Sequence, residues 1–220
     1  MNVVLPHLPA LQVVIPLIAA PLCLLAGRAS LAWFIAFLAS ACATATAVIL
    51  AYQTLHHGPI SYHMGGWAPP WGIEYAVDSA NAFILLLVSG IATVVLLYCP
   101  SSVSKEIRAG REHMFYCMFI LCLTGLLGIA ITGDAFNVFV FLEISSLSSY
   151  ALIAMGSQRK ALTASFQYLI MGTIGATFFL IGVGLLYMIT GTLNLADLQT
   201  RIPQIQDSRP LLAAFAFITV

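Results

Sequence analysis

One carboxylate stands near the middle of the apolar stretch TGDAFNVFVFLEISSLSSYALIAMG, residues 132–156: Glu143, followed closely by Ser145, Ser146, Ser148 and Ser149. Nine residues separate it from Asp134, about 13 Å along a helix axis. In a hydrocarbon core of about 30 Å that depth is close to the midplane. An acidic group there costs on the order of 3 kcal/mol unless it is neutral or paired. Side chains of this kind face a bundle interior or a water-filled cavity and mark ion or proton paths, so Glu143 is expected to carry protons. A desolvated carboxylate becomes a useful carrier only when a movable cation can change its proton affinity. No such cation falls within the apolar runs: the lysines are Lys105 and Lys160, both in loops, and no arginine lies at mid-depth. The partner charge is therefore expected beyond residue 220 or on another subunit.

The neighbours of Glu143 at i+3 and i+7 are Ser146 and Tyr150, a polar stripe along one helical face. Two readings of the serines stay open, close helix packing and water-assisted proton conduction. The next apolar run adds Gln167 and Thr177 as candidate relay positions, with interhelical hydrogen bonding as the competing reading. It also carries Gly172, Gly175, Gly182 and Gly184, read as close-packing glycines. His113, at the start of an apolar run, can accept a proton near neutral pH; a plain interfacial histidine is the alternative. Asp78 and Asp134 sit where helix N-caps belong, and Asp134 is kept as a candidate in an outlet for protons. Serine nucleophiles would need a base at mid-depth, and the runs hold no histidine or lysine there and no GxSxG.

The elements that must position these groups follow from composition. The chain has 220 residues, 61% hydrophobic and 7% charged, with a mean hydropathy of +1.00. Charge this sparse does not cover a water-facing surface, since soluble domains carry about 25%. The chain reads as an all-α polytopic membrane bundle. Six runs are long enough to span, roughly 8–27, 30–54, 77–99, 113–132, 134–156 and 161–190, and a seventh starts near Pro210 and is cut short. The N-terminus is expected outside: Arg28, Lys105, Arg108, Arg111, Arg159 and Lys160 then lie in the cytoplasm, against Arg201 and Arg209 outside. Glu74, Asp78, Asp134, Asp197 and Asp207 then fall at the outer face. Met1 begins no basic signal region, and the first run is expected to be retained.

The outer segment 56–75 reads as turns or a short hairpin, with Trp67 and Trp71 at headgroup level. Its His56, His57 and His63 fit no metal-site spacing. Residues 100–113 read as a charged connector. The five cysteines, without a CxxC, read as small buried hydrophobes. A net charge of zero gives no pointer to nucleic acid.

The segments LTGLLGIAITGDAFNVFVFLEISSLSSYALIAMG and FQYLIMGTIGATFFLIGVGLLYMITGTLNLADL resemble the antiporter-like proton-channel family, across roughly residues 74–220. That family includes the D-type subunits of Mrp cation/proton antiporters and the antiporter-like subunits of complex I and membrane-bound hydrogenases. The resemblance implies about fourteen helices, with two inverted five-helix repeats that each contain a broken helix. Residues 1–220 would then be a single membrane domain, the N-terminal half of such a protein. It further implies that Glu143 pairs with a lysine on the seventh helix, which this chain does not reach. Many relatives have a lysine where this chain has Gln167. The expected function is proton translocation in a multisubunit Na+/proton antiporter, the motif details leaning toward the Mrp D type. The alternative is a proton-pumping subunit of a complex I-like oxidoreductase or membrane-bound hydrogenase. Expected partners are other membrane subunits, protons, monovalent cations and the lipid of the cell's inner membrane. No cofactor is expected, because nothing suggests a flavin, quinone or iron–sulfur site.

Overall fold

A computed structural model describes residues 5–108, 110–205 and 208–219; Met1 and Asp207 lie outside the described residues. Six helices are long and apolar enough to cross a membrane: α1 (Leu8–Ala26), α2 (Ala29–His57), α3 (Ser79–Glu106), α4 (Glu112–Ile131), α5 (Ala135–Ala154) and α6 (Arg159–Thr190). Two shorter helices follow, α7 (Leu195–Arg201) and α8 (Ser208–Thr219). The expected all-α bundle is the observed one. The seventh run near Pro210 is α8, and α7 is an additional capped turn that its seven residues did not announce.

Loop chemistry explains the reversals. Gly27 ends α1 with φ of +61°, a left-handed conformation glycine adopts at little cost. After Arg28, α2 begins. The spans then alternate in direction, which gathers Arg28, Lys105, Arg108, Arg111, Arg159 and Lys160 at one end of the bundle. The opposite end carries a two-stranded hairpin, β1 (Ile60–His63) and β2 (Glu74–Val77), antiparallel with Ile60 opposite Val77 and His63 opposite Glu74. Trp67 and Trp71, at its tip, are exposed.

Most of the buried apolar core lies among α1 to α4. Ala32, Ala36, Ala39, Ala43 and Ala47 are all buried along one stripe of α2, and small side chains of this kind let neighbouring backbones approach. Part-buried hydroxyls tie α2 to α3, with Thr93 Oγ1 2.8 Å from Ser40 Oγ and 2.9 Å from Thr44 Oγ1. The charged connector expected over 100–113 is half helix, because α3 continues through Pro100 to Glu106. Proline has no N–H to offer the carbonyl four residues earlier. That carbonyl, on Leu96, accepts a bond from the Trp33 indole Nε1 at 2.8 Å instead. The orphaned group is thus satisfied across helices and α3 passes its proline intact.

Helix α5 packs on α4, α6 packs on α5, and α8 packs on α6. Much of the outer flank of α6 is apolar and exposed, including Phe166, Ile170 and Ile174. Of the four glycines read as close-packing, Gly172 lies against the Tyr150 hydroxyl and Gly182 against Ala214 and Ile218 of α8, whereas Gly175 and Gly184 face open space.

Candidate functional site

Glu143 lies in the middle of α5, half-buried, with neither a hydrogen bond nor an ion pair among the described residues. It is also the one Asp, Glu, Lys or Arg away from the ends of the six spans. Two faces of α5 divide the work. Phe141, Ser145 and Ser149 turn toward α4, where Gly125 and Gly128 leave room for them and Ser149 Oγ lies 3.4 Å from Cys122 Sγ. Glu143, Ser146 and Tyr150 share a different stripe, and Tyr150 from that stripe meets α6. Its hydroxyl lies on Gly172, its ring packs edge-on to Tyr168 at 5.2 Å, and its carbonyl accepts from Ser165 Oγ at 2.8 Å. The carboxylate therefore sits on the side of α5 turned away from the α4 seam.

The serines separate accordingly. Ser145, Ser148 and Ser149 donate to the carbonyls of Leu142, Ile144 and Ser145 at 2.9, 2.6 and 2.8 Å. A hydroxyl that bonds its own helix is satisfied without water, so these three are packing residues at the seam. Ser146 makes no such bond and stays on the stripe of Glu143.

The other candidates are dispersed. Gln167 and Thr177 are exposed on α6, and the Thr177 hydroxyl donates to Thr173 O at 2.7 Å. His113 stands in the first turn of α4 at the basic end of the bundle, and Asp134 caps α5 at the hairpin end. None of Ser146, Gln167, Thr177, His113 and Asp134 is hydrogen-bonded to Glu143.

The hairpin end of α5 is held by a clip that local sequence patterns do not announce. Thr132 bridges Tyr75 of β2, and Asp134 bridges Asn194 before α7. Gly133 N donates to Glu74 O, Ala135 N to Leu193 O and Leu195 N to Gly133 O, each at 2.8 Å. Glu74 completes it: one carboxylate oxygen accepts from Ser61 Oγ and the other from Asn194 Nδ2 at 2.6 Å. The only trace in the sequence is a shared pattern, a threonine two residues before each cap, Thr132 before Asp134 and Thr192 before Asn194.

Both caps have the expected geometry. Asp78 and Asp134 accept from the backbone N–H three residues on, at 2.7 and 2.8 Å. Burial pushes the Asp134 carboxyl above its ordinary pKa, opposed by the N–H groups of Asn137 and Phe136. Asp134 also lines a cavity of about 440 Å³ with Trp71, Phe136, Tyr187 and Arg201. Asp134→Ala should cost about 1 kcal/mol of helix stability, read as a lower thermal unfolding midpoint. Asp134→Asn keeps a capping oxygen and removes the titrating group, so it should unfold like the wild type; slower proton transport in that variant alone would mark a relay role.

Asp197 pairs with Arg201 at 2.8 Å, and the Arg201 hydrogen bond holds its carboxyl below the ordinary range. The ionised pair contributes above the ordinary value of 3.8 and loses its contribution as pH falls through the lower native value. The difference in thermal midpoint between wild type and Asp197→Asn should therefore be flat from about pH 8 to 5 and shrink only below about pH 4.

Residues 132–220 match a family model described as NADH:quinone oxidoreductase/Mrp antiporter, transmembrane. The N subunit of a NADH-quinone oxidoreductase from Desulforudis audaxviator is 43% identical over 216 residues, 96% of this chain and 42% of the relative. The likeness therefore extends through the first helices, beyond the span from residue 74 that the motifs suggested. The D subunit of a Na(+)/H(+) antiporter from Bacillus subtilis is 36% identical over 167 residues, 76% of this chain and 33% of the relative. Among solved structures, a chain of the archaeal membrane-bound sulfane sulfur reductase, a respiratory membrane complex, superposes with a TM-score of 0.89 at 32% identity, covering 96% of this chain and 43% of that one. The chain thus spans less than half the length of the relatives it matches. Six apolar spans, a lone mid-span glutamate and these three likenesses agree: this multi-pass membrane protein belongs to the antiporter-like family shared by NADH:quinone oxidoreductases and Mrp antiporters.

Proposed function

We propose that this chain forms one proton-conducting unit of a multisubunit assembly in the cell's inner membrane, with Glu143 as the group that takes up and releases the proton. The observation that carries this is the half-buried carboxylate at the centre of α5, without a partner among the described residues. A charge there is costly, and a group held at that cost without a hydrogen-bonding role in the fold has a use in transport. Its proton affinity is to be switched by a cation from outside the described residues, a lysine on a later helix or a neighbouring subunit. In the leading version the assembly exchanges Na+ for protons, which the likeness to the D subunit of a Na(+)/H(+) antiporter supports. The 43% identity to the N subunit of a NADH-quinone oxidoreductase supports a second version, in which electron transfer elsewhere in the assembly drives the same proton step.

Inner-membrane vesicles carrying the complete assembly test both. Acidification driven by a sodium gradient supports the antiporter version; acidification that needs an electron donor and ignores sodium supports the redox-linked one. In either case the movement should disappear in Glu143→Gln.

A further inference from the structure

We propose that the cavity at the basic end of the bundle, between the α3–α4 and α5–α6 connections, binds the phosphate of an anionic ligand, and that a phospholipid headgroup supplies it. This stands apart from the role of Glu143. The cavity has a volume of about 560 Å³ and is lined by Arg108, Arg111 and Arg159 together with Ser157, Gln158 and Leu162. Backbone contacts bring the arginines together from two distant segments. Ile107 forms an isolated bridge with Gly156, and Arg111 N donates to Arg108 O at 3.1 Å, folding the first connection over the second.

None of the three guanidinium groups has an ion pair or side-chain hydrogen bond among the described residues; the pair of Arg201 with Asp197 lies at the other end of the bundle. Two carboxylates stand nearby, and neither forms an ion pair with these arginines. Glu112 accepts from the backbone N–H of Gly110 at 2.8 Å, and Glu106 lines a neighbouring cavity with Lys160. Three cations around one cavity repel each other unless an anion joins them. Guanidinium groups match phosphate oxygens in pairs of parallel hydrogen bonds, which gives this cluster a preference for phosphate over a spherical anion. Helix α6 begins at the same place, at Arg159, and its Gln158 cap makes no side-chain bond, so its first N–H groups add further donors.

The surroundings favour a lipid as the source. The cavity joins connections between spans, at the depth where a membrane places its headgroups. Its wall includes Ala154, Met155 and Leu162, and on α6 the exposed Leu162 leads to the exposed Phe166 one turn deeper. A phosphate at the rim would leave acyl chains along that apolar flank.

Native mass spectrometry of the intact purified protein, exchanged into phosphatidylglycerol or phosphatidylcholine micelles, provides the test. The wild type should retain phosphatidylglycerol through detergent stripping and shed phosphatidylcholine. The triple variant Arg108→Gln/Arg111→Gln/Arg159→Gln should bind phosphatidylglycerol at least about tenfold more weakly, the scale of losing a single charge-assisted hydrogen bond. Removing similar charge nearby, as Lys105→Gln/Lys160→Gln, should leave retention unchanged, and a triple arginine-to-lysine variant reports on folding and should retain part of the affinity. Competition by inorganic phosphate alone at low concentration would uphold the phosphate site and assign it to a soluble anion. Equal retention by wild type and triple glutamine variant, or equal loss in the double lysine variant, overturns the proposal and leaves the arginines as orienting charges only.

Discussion

Glu143→Gln is expected to reduce proton movement by the complete assembly at least about 100-fold, the lower end of what a positioned proton-transfer group contributes. The substitution keeps the size and shape of the side chain and removes the titrating proton. Its effect on the fold should run the other way. A mid-span carboxyl costs on the order of 3 kcal/mol, and among the described residues Glu143 makes no hydrogen bond whose loss would offset the relief. Thermal unfolding of the variant should therefore occur at the same temperature as wild type or above it. Glu143→Asp restores the proton but withdraws the carboxyl by one methylene, so transport should return in part. Full transport in the glutamine variant would sink the mechanism and reduce Glu143 to a neutral structural residue.

The second large effect belongs to the α4–α5 seam, and it is one of stability. A Cβ on Gly125 would lie 2.6 Å from Ser145 N and 2.7 Å from Phe141 O, both backbone atoms that cannot rotate away. One on Gly128 would enter the ring of Phe141. Overpacking of this kind costs about 1–3 kcal/mol, more than the roughly 1 kcal/mol alanine gains over glycine inside a helix. Gly125→Ala and Gly128→Ala should both lower the thermal midpoint, and leucine at either position should cut the yield of folded protein. Gly175 and Gly184 are the internal controls, because nothing lies within 4 Å of either added Cβ. There the propensity gain is unopposed and alanine should be neutral or stabilising. A uniform response at all four sites would contradict the seam.

Hydropathy made the spans legible because the bilayer sets one length for all of them, and a single carboxylate in an apolar run stands out against that background. The end of α3 did not read correctly, since Pro100 looks like a stop until the Trp33 indole takes over the Leu96 carbonyl, 63 residues away. The serines stayed open between packing and conduction, because which face each hydroxyl occupies decides whether it bonds its own helix. The clip at the hairpin end joins Glu74 to Asn194 across 120 positions, a separation over which local patterns carry no signal. Asp78 and Asp134 were legible for the opposite reason, a cap being made within three residues. The arginine-lined cavity was visible only as a count of positive charges, because the bridge between Ile107 and Gly156 is what folds two loops into one wall.

Helix α5 is fastened at both ends, by the Thr132 and Asp134 bridges at the hairpin end and by the Gly156 bridge at the basic end. In mechanical terms it is a beam clamped at two supports. Such a beam neither tilts nor slides freely; it bows, and its sideways excursion is greatest near mid-span and vanishes at the clamps. Glu143 stands nine residues from Asp134 and thirteen from Gly156. The carboxylate thus occupies the stretch of α5 where a given bending force moves a side chain furthest, while the two fastened termini hold their register.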